Sequence, residues 1–470
     1  MIESAPAASH HLRCLRGLAD AWRWIGLAAM LPFAVVAAGS SPAAAASVTV
    51  DADLGQSVMP VGKSGKVYLR LSIKGAPAKG ERRTPVNVAL VLDRSGSMAG
   101  DRINAAKEAA EMALGRLAAE DIVSLVAYNH NVDVLRKAER LGAENDLKSI
   151  IAKLTADGRT ALHAGVVAGS EEVKRNLSAR RVNRVILMSD GLANVGPSTP
   201  RELGELGREL GSKGISVTTI GLGLDYNEDL MQRLAASSDG NHAFVEKASD
   251  LVKIFNAEFG DALSVTAQDI EIIIECRTGF RPTRVLGREA AIEGNRIRMK
   301  LNQLQGDNER YVVVELEQPE RGTPGDAEIA SVTVDYLDLD TGSRAHADVQ
   351  AKGRFSRDEK EIEQGTNKAV MTQVTTQIAT ETSEKAVELR DKGDVAGAKK
   401  LLEGNALYLK DQRALLGSGA NAAPAAAVGA LESLQKKQTE AANNLDEENW
   451  GRSRKAMRYD QHKSKVQQSY

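Results

Sequence analysis

The sequence predicts an α/β domain with a doubly wound, mostly parallel sheet, inserted into an antiparallel β-sandwich and followed by an α-helical region. Three observations lead to this fold class. Between residues 86 and 263, short apolar runs alternate with helical stretches, as in parallel sheets covered on both faces. The flanking segments alternate apolar and polar residues with the period of half-buried strands. From Ser356 onward the apolar residues recur at helical spacing.

Composition limits the class of protein. The chain has 470 residues, which is room for more than one domain. Its hydrophobic content of 42% and charged content of 26% are those of a globular protein. A formal net charge of −2 and an aromatic content of 4% give no sign of a nucleic-acid partner.

Residues 1–46 are predicted to be a secretory signal peptide. Three arginines precede the apolar stretch Ile25–Ala38, and small residues suited to cleavage follow it up to about Ala46. The stretch is short for a membrane span, and an uncleaved N-terminal anchor is the alternative. Export places the mature protein in the periplasm, in the medium or on the cell surface, and we expect no membrane span after cleavage.

The cysteine content predicts a mature protein whose core is stabilised without disulfide bonds. Cys14 precedes the apolar stretch of the signal peptide, so Cys276 is the one cysteine of the mature chain. An intramolecular disulfide is therefore excluded there. Cys276 alternates with apolar residues and is predicted to be a buried small hydrophobe.

Four segments follow the signal peptide. Residues 47–80 form the first part of the sandwich, and 81–263 form the α/β domain. Residues 264–355 return to a period of two and form the second part of the sandwich. Residues 356–470 are a helical C-terminal region with a basic tail.

The apolar runs of the α/β segment predict its individual strands and helices. The run 132–139 alternates apolar and polar residues, and it is predicted to be an antiparallel edge strand. The buried strands are predicted at 86–92, 121–128, 184–189, 214–223 and 242–246, and the helices at about 101–119, 146–154, 161–178, 199–212, 227–237 and 248–261.

The C-terminal region is predicted to hold three helices. One ends and the next begins at Lys392–Asp394, and the third covers about residues 428–446 after a low-complexity linker. The tail after Trp450 carries six Lys or Arg against one Asp. We expect it to be a solvated end, with contact to an acidic partner or lipid headgroups as the alternative.

A polar motif ends the first buried strand, in the sequence VNVALVLDRSGSMAG. In extended backbone, alternate residues point the same way, so Asp93, Ser95 and Ser97 can converge above the strand's carboxyl end. Open α/β sheets bind ligands at that edge. Taken alone, the motif is equally compatible with a capped turn.

Two further oxygen side chains turn this loop into a candidate site. Asp190 follows the strand RVILMS, and Thr160 lies just before a helix. All five side chains can meet at one sheet edge. Hydroxyl and carboxylate oxygens suit Mg²⁺, Mn²⁺ or Ca²⁺ rather than Zn²⁺.

These motifs in this order resemble a von Willebrand factor type A (VWA) domain, a Rossmann-like fold, with a complete metal-ion-dependent adhesion site. The resemblance covers Val86–Leu263, and the whole plan is similar to exported bacterial proteins of this class. It implies that Ser95, Ser97 and Thr160 coordinate the cation, most simply Mg²⁺. It implies that Asp93 and Asp190 act mainly through bound waters, and that a carboxylate of a partner completes the metal's coordination.

The predicted function is therefore a non-enzymatic binding protein of the cell envelope that captures an Asp or Glu carboxylate of a protein partner. No catalytic residue and no organic cofactor is predicted. His163 follows Thr160 closely and could border the site, although a helix-start residue near solvent is the simpler interpretation. The alternatives are a metal-dependent hydrolase, and an envelope assembly or scaffold protein that binds through its C-terminal helices.

Overall fold

The computed structural model describes residues 47–77, 83–142, 146–419 and 421–468, so the predicted signal peptide lies outside the described part. The strands are β1 Val48–Leu54, β2 Val58–Pro60, β3 Gly65–Gly75, β4 Val86–Asp93, β5 Ile122–Tyr128, β6 Val132–Arg140, β7 Val182–Ser189, β8 Ile215–Leu222, β9 His242–Val245, β10 Val265–Cys276, β11 Arg281–Leu286, β12 Ala291–Glu293, β13 Arg296–Gln305, β14 Glu309–Gln318, β15 Gly325–Asp338 and β16 Ser343–Ser356. The α-helices are α1 Asp101–Leu114, α2 Leu147–Ala152, α3 Leu162–Arg175, α4 Pro200–Ser212, α5 Glu228–Ser237, α6 Leu251–Leu263, α7 Glu359–Gln364, α8 Lys368–Asp391, α9 Val395–Leu416, α10 Ala425–Asn443 and α11 Glu447–Val466.

The α/β domain is built on a six-stranded sheet in the order β6-β5-β4-β7-β8-β9. Strand β4 lies inside the sheet and pairs in parallel with β5 and β7, while β6 pairs antiparallel with β5 at the edge. Every residue of β4, β5, β7 and β8 is buried because helices cover both faces. The predicted fold class is confirmed, including the antiparallel edge strand.

The sandwich takes strands from both sides of the α/β domain. One sheet has the order β1-β3-β14-β11, and the other has the order β12-β13-β10-β15-β16-β2. Strand β3 pairs antiparallel with β1 on one side and with β14 on the other. Because β3 precedes the α/β domain and β14 follows it, that domain is an insertion into one sandwich.

Three features of the sandwich and its surroundings add to this picture. Strand β11 was not predicted from the sequence, because Pro282 and three polar residues hide its alternation. Cys276 is buried in the sandwich core as expected, and burial raises the pKa of its thiol to about 11. Among the described residues, no helix is both long and apolar enough to cross a bilayer.

The C-terminal region differs from its predicted layout. Helix α10 corresponds to the third predicted helix, but a fourth helix, α11, occupies the predicted tail, and the expectation of a solvated basic tail is wrong. Helix α11 packs on α5 and β9 of the α/β domain, and Lys455, Gln461 and His462 are buried there. The basic residues of the tail therefore serve contacts within the chain.

Candidate metal centre

The candidate site lies at the carboxyl edge of the sheet, where β4 and β7 run side by side. Asp93 is the last residue of β4, and Asp190 follows Ser189 at the end of β7. Parallel pairing brings these strand ends to the same level, so the two carboxylates lie on neighbouring strands. Both carboxylates are fully buried.

Asp93 is held by hydrogen bonds from three sides. Its Oδ1 accepts the backbone N–H of Ser95 at 2.8 Å, and its Oδ2 accepts the hydroxyl of Ser189 at 2.6 Å. The phenol of Tyr128 lies 3.4 Å from Oδ2. Burial nevertheless raises the pKa of this carboxyl to about 6, and the neighbouring carboxylate of Asp190 adds to the rise.

The two serines connect Asp93 to Asp190. The hydroxyl oxygens of Ser95 and Ser97 lie 3.1 Å apart, and Ser97 Oγ donates to Asp190 Oδ1 at 2.7 Å. Ser95 is buried, whereas Ser97 is exposed at the mouth of the site. The motif therefore lines a path from the buried carboxylates to solvent.

The hydroxyl of Thr160 lies with those of the two serines around a space next to Gly191. A Cβ added to Gly191 would lie 3.2 Å from Thr160 Oγ1, 3.2 Å from Ser97 Oγ and 3.7 Å from Ser95 Oγ. Three hydroxyl oxygens thus surround one point beside the backbone of Gly191. The structure brings together all five residues predicted from the sequence.

Backbone contacts fix the loops that carry these side chains. The N–H of Gly96 donates to the carbonyl of Gly158 at 3.0 Å, which ties the serine loop to the loop before Thr160. Gly158 has a φ of +76°, and a Cβ there would collide with the ring of His130. Asn194 Oδ1 accepts the N–H of Thr160 at 2.9 Å, so the loop after β7 also holds this residue.

Arg102 is a site residue that the sequence interpretation missed. It lies in the first turn of α1, and its guanidinium pairs with Asp190 Oδ2 at 2.5 Å and with Asp225 at 3.0 Å. The hydrogen bond to Asp190 raises the pKa of Arg102. An arginine shortly after a polar loop is the only sequence signal, and it does not reveal which carboxylate the side chain meets.

The donor set fits a hard divalent cation. Three neutral hydroxyls lie around one point, next to two buried carboxylates. The guanidinium of Arg102 pairs with one of these carboxylates, that of Asp190. A cation here would lower the cost of keeping Asp93 ionised in a buried position. Among the described residues, no group of three or more His, Cys, Asp or Glu could hold a metal, so a thiolate- or imidazole-based site is not formed there.

Neither His163 nor His242 joins the cluster. His163 is half-buried at the start of α3, and burial lowers the pKa of its imidazole. His242 is fully buried in β9, where its Nδ1 lies 2.8 Å from the hydroxyl of Thr219. Their positions give no support to a catalytic His–Ser pair at this edge of the sheet.

Comparison with known proteins identifies the α/β domain. The family model for the von Willebrand factor type A domain matches residues 87–257. The chain contains a VWA domain. Domains of this type commonly bind a divalent cation and typically mediate protein–protein interactions. Residues 87–257 include all five side chains of the candidate metal centre.

Solved structures extend the likeness beyond the VWA domain. A von Willebrand factor type A protein from Catenulispora acidiphila superposes with a TM-score of 0.68 at 14% identity, covering 90% of this chain and 97% of that one. The ArnB paralog VWA2 from Sulfolobus acidocaldarius gives a TM-score of 0.60 at 16% identity, covering 90% and 100%. At these identities the likeness concerns the fold alone.

Sequence relatives cover smaller parts. An uncharacterized protein of Synechocystis sp. is 26% identical over 284 residues, which is 58% of this chain and 67% of that protein. Inter-alpha-trypsin inhibitor heavy chain H4 of Sus scrofa is 30% identical over 173 residues, 35% of this chain and 19% of the relative. The chain thus spans only about a fifth of that second relative's length.

Proposed function

We propose that this protein is a non-enzymatic, exported binding protein whose VWA domain captures a partner protein through a divalent cation. Ser95, Ser97 and Thr160 would hold the cation, with Asp93 and Asp190 supporting it through water and hydrogen bonds. The cation supplies electrostatic attraction for an Asp or Glu carboxylate of the partner. Mg²⁺ is the simplest choice, with Mn²⁺ and Ca²⁺ as substitutes.

The convergence of three hydroxyls on one point beside Gly191 carries this proposal. Neutral hydroxyl ligands leave more of the cation's charge for an incoming anion than carboxylate ligands would. The exposed Ser97 lies on the solvent side, where a partner's side chain can approach.

The helical tail is a weaker candidate for partner binding. Arg454, Lys455 and Arg458 of α11 already pair with carboxylates of α5 in the same chain. A partner that used these residues would first have to displace α11. The metal centre needs no such rearrangement.

Calorimetric titration of Mn²⁺ into the full chain tests the metal site. We expect saturable binding by the wild type and none by the Asp93→Ala/Ser95→Ala variant, because the variant removes a carboxylate and a ligand hydroxyl. Asp411→Ala/Ser418→Ala makes the same two replacements on exposed positions of the C-terminal region and should bind as the wild type does. Equal binding by all three proteins would contradict the proposal.

Affinity capture from the native cell envelope tests the partner. The same partner should be retained by the wild type in Mg²⁺, and lost with a chelator or with the Asp93→Ala/Ser95→Ala variant. If the partner is retained both in the presence of the chelator and by the variant, its binding surface lies elsewhere on the protein. Turnover of peptide, phosphoester or glycan substrates in Mg²⁺ would contradict the non-enzymatic assignment.

A further inference from the structure

A second candidate site lies away from the metal centre, in a cleft of about 610 Å³. Its walls come from α4 and α5 of the VWA domain, from the sandwich around Gly287–Glu289, and from helices α8 and α11. A cleft of this volume can take a small organic molecule. It is formed only when the three parts of the chain are packed together.

Polar hydrogens in this cleft lack acceptors. Arg288 donates through one nitrogen to Asp239 at 3.2 Å, but its Nε and Nη2 are buried and have no hydrogen-bond partner among the described residues. The hydroxyl of Ser237, also on the cleft wall, is buried without a partner in the same part of the chain. Buried donors without acceptors are costly, so a ligand that accepts hydrogen bonds is favoured here.

Nearby carboxylates are already engaged. Asp239 accepts the N–H of Asn302 at 2.8 Å as well as the bond from Arg288, and Arg310 lies 3.9 Å from it on the inner side. The other acidic residues of the cleft are all in ion pairs, namely Asp229, Glu289, Glu381 and Glu384. The unpartnered groups described above are therefore hydrogen-bond donors, whereas the carboxylates are already paired.

The charges around the cleft also favour an anion. Arg208 lies on its wall, is exposed, and makes no ion pair with any described residue. Behind the wall, Arg310 is buried, and burial lowers the pKa of its guanidinium, while the Asp239 carboxylate opposes this shift and the charge of Arg288 adds to it. Two guanidinium groups, of Arg288 and Arg310, therefore lie beside the single carboxylate of Asp239, which leaves positive charge that an anion would offset.

We propose that this cleft is a binding site for a small oxyanion, a phosphate or carboxylate compound, held by Arg288, Arg208 and Ser237. A guanidinium presents two parallel N–H groups to such an anion, which gives both strength and orientation. Because α11 forms part of the wall, ligand binding would also stabilise the packing of the C-terminal helix on the VWA domain.

Titration of inorganic phosphate, and of citrate in parallel, into the full chain tests this site. A chelator keeps metal out of the VWA domain, and ionic strength is held constant. We expect saturable phosphate or citrate binding with a dissociation constant of about 1 mM or tighter. The stronger of the two anions identifies the class of oxyanion, and it should raise the melting temperature.

Four variants make the test specific. Arg288→Gln and Arg208→Gln should each weaken binding, the first by about tenfold or more, whereas the exposed Arg116→Gln should not. Asp239→Asn removes the carboxylate that competes for Arg288 and suits the residue's φ of +52°, so binding should become several-fold tighter. Absence of saturable binding, or equal binding by all variants, would mean that solvent satisfies these donors and would overturn the proposal.

Discussion

At the scale of residues, three hydroxyl groups and the absent side chain of Gly191 shape the candidate metal centre. Ser95, Ser97 and Thr160 come from two loops, yet their oxygens lie within 3.7 Å of the place where a Cβ of Gly191 would be. No positive φ requires a glycine at this position. The space beside Gly191, rather than the backbone conformation, therefore explains the residue.

Gly191→Ala should abolish metal binding while the fold is kept. The new methyl group would lie 3.2 Å from two of the three hydroxyl oxygens and would occupy the space between them. We expect at least about a tenfold loss of Mn²⁺ affinity by calorimetry, which corresponds to about 1.4 kcal/mol or more.

Gly429→Ala is the matched control, because a Cβ there meets nothing within 4 Å. Both variants should keep the far-ultraviolet circular dichroism of the wild type. Undiminished Mn²⁺ binding by Gly191→Ala would show that the cation lies away from this point.

Sequence patterns were sufficient to predict that the five oxygen-bearing residues lie close together, but not to predict their surroundings. Asp93 and Asp190 end apolar runs, and parallel strands place such ends together, so their proximity follows from the fold class. Arg102 lies on a helix, and its pairing with Asp190 depends on the direction of a long side chain. Ser189 supports Asp93 from a position that the sequence shows only as part of a strand.

At the scale of elements, helix α11 is the least expected part of the structure. Its Lys455 is buried and pairs with Glu228, and its partly buried Arg454 pairs with Glu228 and Asp229, more than 200 residues earlier in the chain. A one-dimensional pattern shows the charges but not these partners, so a solvated tail was the natural expectation. The strands of the sandwich were easier to predict, because their alternation directly reflects one buried face.

Lys455→Ala should loosen helix α11. Lys455 is buried, pairs with Glu228 at 2.5 Å and donates to the carbonyl of Tyr226 at 2.9 Å. Removing it leaves the buried Glu228 with Arg454 as its remaining cation, at a cost of about 3 kcal/mol. Native-state hydrogen exchange of the α11 amides should show this loss.

Lys436→Ala removes an exposed ion pair with Glu432 within α10 and should leave the hydrogen exchange of the α11 amides nearly unchanged. Similar small effects of both substitutions would mean that α11 is held by its apolar contacts rather than by the buried pair.

The contact between β9 and α11 should weaken in acid. Burial and then Lys455 lower the pKa of His242 to about 3, and burial and then His242 lower that of His462 further below its usual value. The rings lie 6.0 Å apart, with Lys465 and Arg310 also near His462. Both histidines are therefore neutral in the folded protein, whereas they take up protons near pH 6.5 when unfolded.

The contribution of these two histidines to the free energy of unfolding is fully present above about pH 6.5. It decreases as the pH falls toward their folded-state pKa values, because the unfolded chain binds more protons. His462→Gln should flatten this dependence by about 1.4 kcal/mol per pH unit below pH 6, measured by urea unfolding of wild type and variant in parallel. The carboxylates are common to both proteins and cancel in the difference. Parallel pH profiles for the two proteins would exclude this role for His462.

At the scale of the whole molecule, one apolar cluster joins the metal centre to the sandwich. Met98 lies in the serine loop, is fully buried, and belongs to the same apolar cluster as residues of α1 and as Phe255 and Phe259 of α6. Helix α6 passes into β10 of the sandwich with only Ser264 between them. A shift of the serine loop can therefore reach the sandwich through packed side chains.

Binding at the metal centre should therefore be detected at the junction between the domains. With Mg²⁺ and acetate as a carboxylate probe, we expect altered hydrogen exchange in residues 251–270 of the wild type, because the loop that carries Ser95 and Ser97 also carries Met98. Gly191→Ala should show no such change in hydrogen exchange, because its added methyl group occupies the space between the three hydroxyls where the cation would bind. Unchanged exchange in a wild type that demonstrably binds the cation would confine the response to the site itself and rule out coupling through α6.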